Sequence, residues 1–193
     1  MRHPLPLMTA AMLFMACQSA PPPESEAPAV PAGPEPGTPE WTLQNAMSAA
    51  PPSISASATI MAWPATEGGE MTQVRAGTNG WTCMPDMPGT PDNDPMCVDA
   101  TWLALFQAWQ GRQPFTPTAT GIAYMLQGGS GASDTDPYKM EPDPGQSWLV
   151  DPPHLMLILP NVGGQGLPTE RSSGGPYVMW HGTPYAHVMV PIR

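Results

Sequence analysis

Positive charge is scarce in this chain. Only six of 193 residues are Lys or Arg, against sixteen Asp or Glu, and the formal net charge is −10. Such a surface repels phosphate backbones and anionic headgroups, which argues against nucleic-acid binding. Long apolar runs are missing too. The N-terminal run from Leu5 to Ala16, broken at Pro6 and Thr9, is shorter than the ~20 residues a membrane-spanning helix needs. Cysteine occurs at three positions only, with no Cys-x-x-Cys spacing of the kind common in catalytic dithiols. The chain has no Gly-x-Gly-x-x-Gly after a strand, no phosphate-binding Gly-x-x-x-x-Gly-Lys and no His-Glu-x-x-His. Gly128-Gly129-Ser130-Gly131-Ala132 misses the nucleophile elbow at its last position and has no helix pattern behind it, so Ser130 is a poor hydrolase nucleophile. Asp92-Asn93-Asp94 and Asp134-Thr135-Asp136 lack the Gly and distal Glu of a calcium loop. Both read as solvated turns.

What is present begins at the N-terminus. Arg2 and His3 precede the short apolar run, and small Ala16 stands before Cys17, the pattern of an export signal. Phe14-Met15-Ala16-Cys17 resembles the lipobox of bacterial lipoprotein precursors, with Phe14 where leucine is usual. The resemblance implies removal of residues 1–16 and diacylglycerol on the Cys17 thiol, often with acylation of the new amino terminus. Gln18 is not the aspartate that marks inner-membrane retention in such proteins, so the expected location is the outer membrane. Each buried methylene contributes ~0.8 kcal/mol and stable anchoring takes two chains, so a triacylated cysteine would hold firmly. The membrane is thus the expected partner, through the anchor alone. Residues 18–38, rich in Pro, Glu, Ala, Gly and Ser, lack the apolar bulk to repay chain ordering and read with Cys17 as a disordered tether.

Residues 39–193 suit one domain. With Cys17 used as anchor, Cys83 and Cys97 remain and are expected to form a disulfide that staples the proline-rich loop between them. Thr38-Pro39 predicts a helix start, and Leu43, Ala46, Met47 and Ala50 follow at helical spacing. Ser53 to Trp63 alternates and reads as a strand. Asn79-Gly80 predicts a hairpin joining Met71–Thr78 to Trp81–Met84. Asp99 caps the clearest helix, whose stripe of Trp102, Leu105, Phe106 and Trp109 must cover a sheet before Gly111 ends it. Further strands are expected at Gly121–Leu126, Leu155–Leu159, Tyr177–Trp180 and Tyr185–Val190. Long loops, ordered or not, are expected at Gln127–Ser147 and Asn161–Gly175. Together these predict an α+β fold with a mostly antiparallel sheet, one main packed helix at about 99–110 and a short N-terminal helix.

Three of four histidines fall in the last third, and eleven of fifteen methionines lie beyond Cys17. On a strand period, His154 shares a face with Met156 and Ile158, Tyr177 with Met179 and His181, and Tyr185 with His187 and Met189. If Gly182-Thr183-Pro184 forms a three-residue loop, Met179 lies opposite His187 and all six hairpin residues share one side, whereas a two- or four-residue loop flips one strand and scatters them. Imidazole and thioether together suit copper, so His181, His187, Met179 and Met189 are the candidate ligands. Packing is the competing use of the same residues. Trp81 and Trp148 border loops, where they stack on a ligand or close the core edge. The segments GGPYVMWHGTPYAHVMVP and GIAYMLQGGSGASDTDP look similar to parts of exported bacterial proteins of uncharacterised function, a resemblance that implies no activity. The sequence therefore favours a non-enzymatic binding or envelope-associated lipoprotein. A copper-binding protein comes second and a hydrolase third.

Overall fold

The computed structural model describes residues 33–66 and 69–192. The residues read as an export signal, Cys17 and most of the proline-rich stretch read as a tether lie outside the described residues. The first helix begins where its cap predicts. Thr38 Oγ1 accepts a hydrogen bond from the Trp41 amide at 3.2 Å, and Pro39 occupies a first-turn position that needs no donor. This helix, α1, runs Pro39–Ser48.

The next segment departs from the expected strand. Pro52–Ser55 forms a single helical turn, α2, and only Thr59–Ala62 is extended, as β1. Pro52 is fixed at a helical φ, and the small residues around it fit either period, so alternation alone could not separate them. The expected hairpin at Asn79-Gly80 does not form either. β2 (Thr72–Arg75) and β3 (Thr82–Met84) both pair with β1, on opposite sides, β2 antiparallel and β3 parallel. Asn79 instead holds a turn with one local bond and one to α2, through its side chain. Its amide donates to the Ile54 carbonyl at 2.8 Å, and its Oδ1 accepts from Trp81 N at 3.2 Å.

β4 (Met96–Val98) follows, then helix α3 (Ala100–Gln110). Asp99 caps α3 with one oxygen, accepting from Trp102 N at 2.9 Å, and ties it to the sheet with the other, accepting from Ile122 N at 2.7 Å. β5 (Gly121–Met125), β8 (His154–Ile158), β9 (Tyr177–Met179) and β10 (His187–Pro191) are the late strands that the sequence predicts, and β6 (Gly129–Gly131) pairs with β7 (Leu149–Asp151) as a separate two-stranded ribbon. The segments expected as long loops thus carry elements of their own: β6 in the first, and short 3-10 turns at Val162–Gly164 and Arg171–Ser173 in the second.

The eight-stranded sheet has the order β2-β1-β3-β4-β5-β8-β10-β9, and all its pairs except β1 with β3 are antiparallel. This is the α+β architecture that the patterning implies. Because side chains alternate across a sheet, its two faces carry different cores. Cys83 and Cys97 face each other across β3 and β4 and are joined as a disulfide. They pack with Ala46, Ala49, Ala50, Ala58 and Ile60 under α1. Met84, Met96 and Val98, one position away, point to the other face together with Ala123 and Met156, and Trp102, Leu105 and Phe106 of α3 lie over them. The stapled loop is also held from α1. Asn45 donates to Asn93 Oδ1 and accepts from Asp86 N, both at 2.7 Å.

Candidate functional site

The α3 face of the sheet has a floor set by register. Met125 lies opposite His154, Ala123 opposite Met156, Met189 opposite Met156 from the other side, and Met179 opposite His187. A cavity of about 170 Å³ stands on this floor. Its other walls are Trp102 and Leu105 from α3, Ser130 from β6, and Trp148 and Trp180. Its volume is close to the ~150 Å³ of an engineered protein cavity that admits benzene.

Two histidines give the cavity its polarity. His154 and His187 are 2% and 1% exposed. His154 Nδ1 lies 2.7 Å from the Pro152 carbonyl, and His187 Nδ1 lies 2.9 Å from the Tyr185 carbonyl. A carbonyl only accepts, so each Nδ1 carries the proton. Burial pushes the His187 imidazole down to about 4, against its carbonyl partner, and the nearby His154 acts in the same direction. Burial also lowers His154, offset in part by the Pro152 carbonyl and by Asp151. Both rings are therefore neutral at pH 7, and each Nε2 presents a bare lone pair. Neither Nε2 has a hydrogen-bond partner, and the buried Ser130 Oγ has none either. His187 is clamped edge-on between Trp102 and Trp180, with ring centroids at 5.0 and 5.1 Å.

Trp180 reaches that position at a conformational cost. Its φ is +54°, the left-handed region that bulky residues avoid. Hydrogen bonds from its backbone N to the Asp134 carbonyl (2.7 Å) and from Nε1 to the Ser133 carbonyl (3.0 Å) hold it there. Asp134 is in turn fixed by Arg171, whose Nε and Nη2 donate to its two oxygens, while Nη1 donates to Asp151 and to the Val150 carbonyl. One guanidinium thus ties the ribbon, the cavity wall and the β8 entry together. Arg171→Met leaves two shielded carboxylates without a counter-charge. Breaking a buried pair costs about 3–5 kcal/mol, and the one-quarter exposure of Arg171 reduces this. A loss of about 2 kcal/mol in urea unfolding is expected.

The acidic motifs are solvated turns only in part: Asn93, Thr135 and Asp136 are exposed, but one aspartate of each motif turns inward. Asp134 is ion-paired as above, and Asp94 is 3% exposed, accepting from Met87 N at 2.8 Å. Burial raises the Asp94 carboxyl to about 6, against the lowering effect of that amide. Asp94 lines the cavity beside β6, where a Cβ on Gly129 would stand 3.0 Å from its Cβ.

The candidate copper set is only partly assembled. Met179, His187 and Met189 share the cavity floor in the predicted register, but His181 is exposed, in the link between β9 and β10. That link runs from 180 to 186, so His181 has left the strand before its face can matter. Among the described residues no group of three or more His, Cys, Asp or Glu comes together to hold a metal ion. The hydrolase reading gains no base, since Ser130 Oγ meets no partner. Trp81 packs against Tyr124 on the far face, at 5.5 Å between rings, whereas Trp148 lines the cavity. Sequence reasoning placed His154 on a face with Met156 but missed that this face meets the one bearing His187. The signal was there: both histidines alternate with methionine on strands that the order β8-β10 makes neighbours. The chain matches no protein-family model, no curated protein and no solved structure, so the fold and the cavity must speak for themselves.

Proposed function

We propose that this chain is a lipid-anchored bacterial envelope protein whose domain binds a small uncharged ligand and carries out no chemistry on it. The anchor rests on the export segment and on the lipobox-like residues ending at Cys17. Cys17→Ser should move the protein from the membrane to the soluble fraction of the envelope, and equal membrane retention would refute the anchor.

Binding rests on one observation: two neutral imidazoles with buried, unpartnered Nε2 atoms line a largely apolar cavity. A buried polar atom without a partner costs about 1–3 kcal/mol, and a ligand that donates to it recovers that cost. Charged ligands fit poorly. Asp94, Asp136 and Asp151 line the cavity and repel an anion, and the one cationic lining residue, Lys139, is paired with Asp143. For a cation, Asp151 is already taken by Arg171 and burial drives Asp94 towards its neutral form. Naphthalene and 2-naphthol are suitable probes, being flat, apolar and close to the cavity in size. Titration of the full chain should perturb tryptophan emission saturably and raise the melting temperature. If neither probe does so, the cavity is a packing defect and not a seat.

Copper is a second reading in reduced form, with His187, Met179 and Met189 and without His181. Its support is the register that pairs Met179 with His187 across β9 and β10. A melt with Cu(I) under anaerobic conditions tests it, and no upward shift ends it.

A further inference from the structure

The two bare nitrogens do not lie side by side. His154 faces Pro191 across the β8–β10 pair, whereas His187 is four residues earlier on β10, beside Ile158, with Met156 and Met189 paired between them. Four residues of antiparallel strand separate the two positions by about 14 Å of backbone, a span the inward-leaning rings shorten. Both rings nevertheless line one cavity. It is therefore a trough with a hydrogen-bond acceptor towards each end and a thioether floor in the middle.

From this geometry we infer that the ligand is an elongated, uncharged molecule with an aromatic or otherwise flat apolar body and one N–H or O–H group at each end. This deepens the binding reading above and rests on it. Each Nε2 offers one lone pair, so a hydroxyl or a secondary N–H is satisfied there by a single bond, whereas an ammonium carries two further N–H groups that need acceptors of their own. Trp102 and Trp180 meet the His187 ring edge-on. They leave its Nε2 as the polar feature of an aromatic end. Gly129 lies against Met125, which stands opposite His154, and the next residue, Ser130, brings to the cavity lining a hydroxyl able to donate or accept, without a partner of its own. Methionine suits the middle, because its flexible, polarisable chain adjusts to a flat body without demanding one outline.

The test uses three probes of one shape on the full chain: 2,6-dihydroxynaphthalene, 2-naphthol and 2,6-dimethoxynaphthalene. Affinity should fall about tenfold from diol to naphthol, and about tenfold again to the diether, which can donate at neither end. His154→Phe and His187→Phe keep a flat ring but remove one acceptor each. In either variant the diol should bind no better than 2-naphthol binds the wild type, with the diether unaffected. The wild-type ranking alone decides the matter if a variant does not fold. Equal binding of diol and diether overturns the two-ended ligand while leaving the binding reading intact. Failure of all three to bind overturns both.

Discussion

Trp102→Ala is expected to lower the unfolding free energy by about 3–5 kcal/mol, the usual cost of removing a buried tryptophan. Trp102 is 4% exposed, lies in the buried stripe of α3 and roofs the cavity. Its Nε1 donates to the Met156 carbonyl at 3.0 Å, and its ring meets His187. Three losses therefore coincide: the apolar area, the partner of a buried carbonyl, and one side of the clamp on His187. Trp102→Phe separates them by keeping most of the area and losing the hydrogen bond, for about 1–2 kcal/mol. Urea unfolding monitored by circular dichroism measures both. A loss below about 1 kcal/mol for Trp102→Ala would mean that α3 does not rest on the sheet through this ring.

The second large effect is a dependence on acidity. His187 sits at about 4 in the folded protein, below its ordinary value near 6.5. Between these values the unfolded chain takes up a proton that the folded protein refuses, so stability present above about pH 6.5 is lost as pH falls towards 4. A gap of that size corresponds to about 3 kcal/mol. Asp94 opposes it. Its folded value of about 6 lies above 3.8, so between these values the folded protein takes up the proton first and gains stability on acidification. His154, lowered by burial, adds to the loss, and Asp151, raised by burial, adds to the gain. The wild type therefore shows a shallow net profile over this window. Relative to it, His187→Phe should lose about 3 kcal/mol less between pH 7 and pH 4, and Asp94→Asn should lose more. Parallel profiles for all three proteins would show that neither group is shielded as the structure has it.

Local features were legible in the sequence because their causes are local. Thr38 and Asp99 cap the helices they precede, the stripe of α3 faces a sheet, and Met179 stands across from His187 as it would with a turn centred on Thr183. The pairing of Cys83 with Cys97 followed from counting thiols once Cys17 was assigned to the anchor. What could not be read depends on partners distant in sequence. The turn at Asn79-Gly80 fits a hairpin in isolation, but β1 inserts between its flanks, and the parallel β1–β3 pair leaves no trace in either segment. Arg171 looks like any loop arginine until it reaches Asp134 and Asp151. Asn45 gives no hint that it fastens the stapled loop from 41 residues away. The cavity combines these non-local choices, since it requires β5, β8, β10 and β9 to stand in that order. His181 shows the converse error. Its place on a strand face was an extrapolation of alternation past the point where the chain turns.

Nitrogen-15 NMR of histidine-labelled protein at pH 7, with and without 2,6-dihydroxynaphthalene, probes the two imidazoles themselves. In the free protein both should be neutral, protonated on Nδ1, with Nε2 resonances typical of an unprotonated nitrogen lacking a hydrogen bond. Adding the diol should move both Nε2 signals saturably in the direction of an accepted hydrogen bond. Protonated Nε2 atoms in the free protein, or signals that stay in place when the diol binds, would contradict the account.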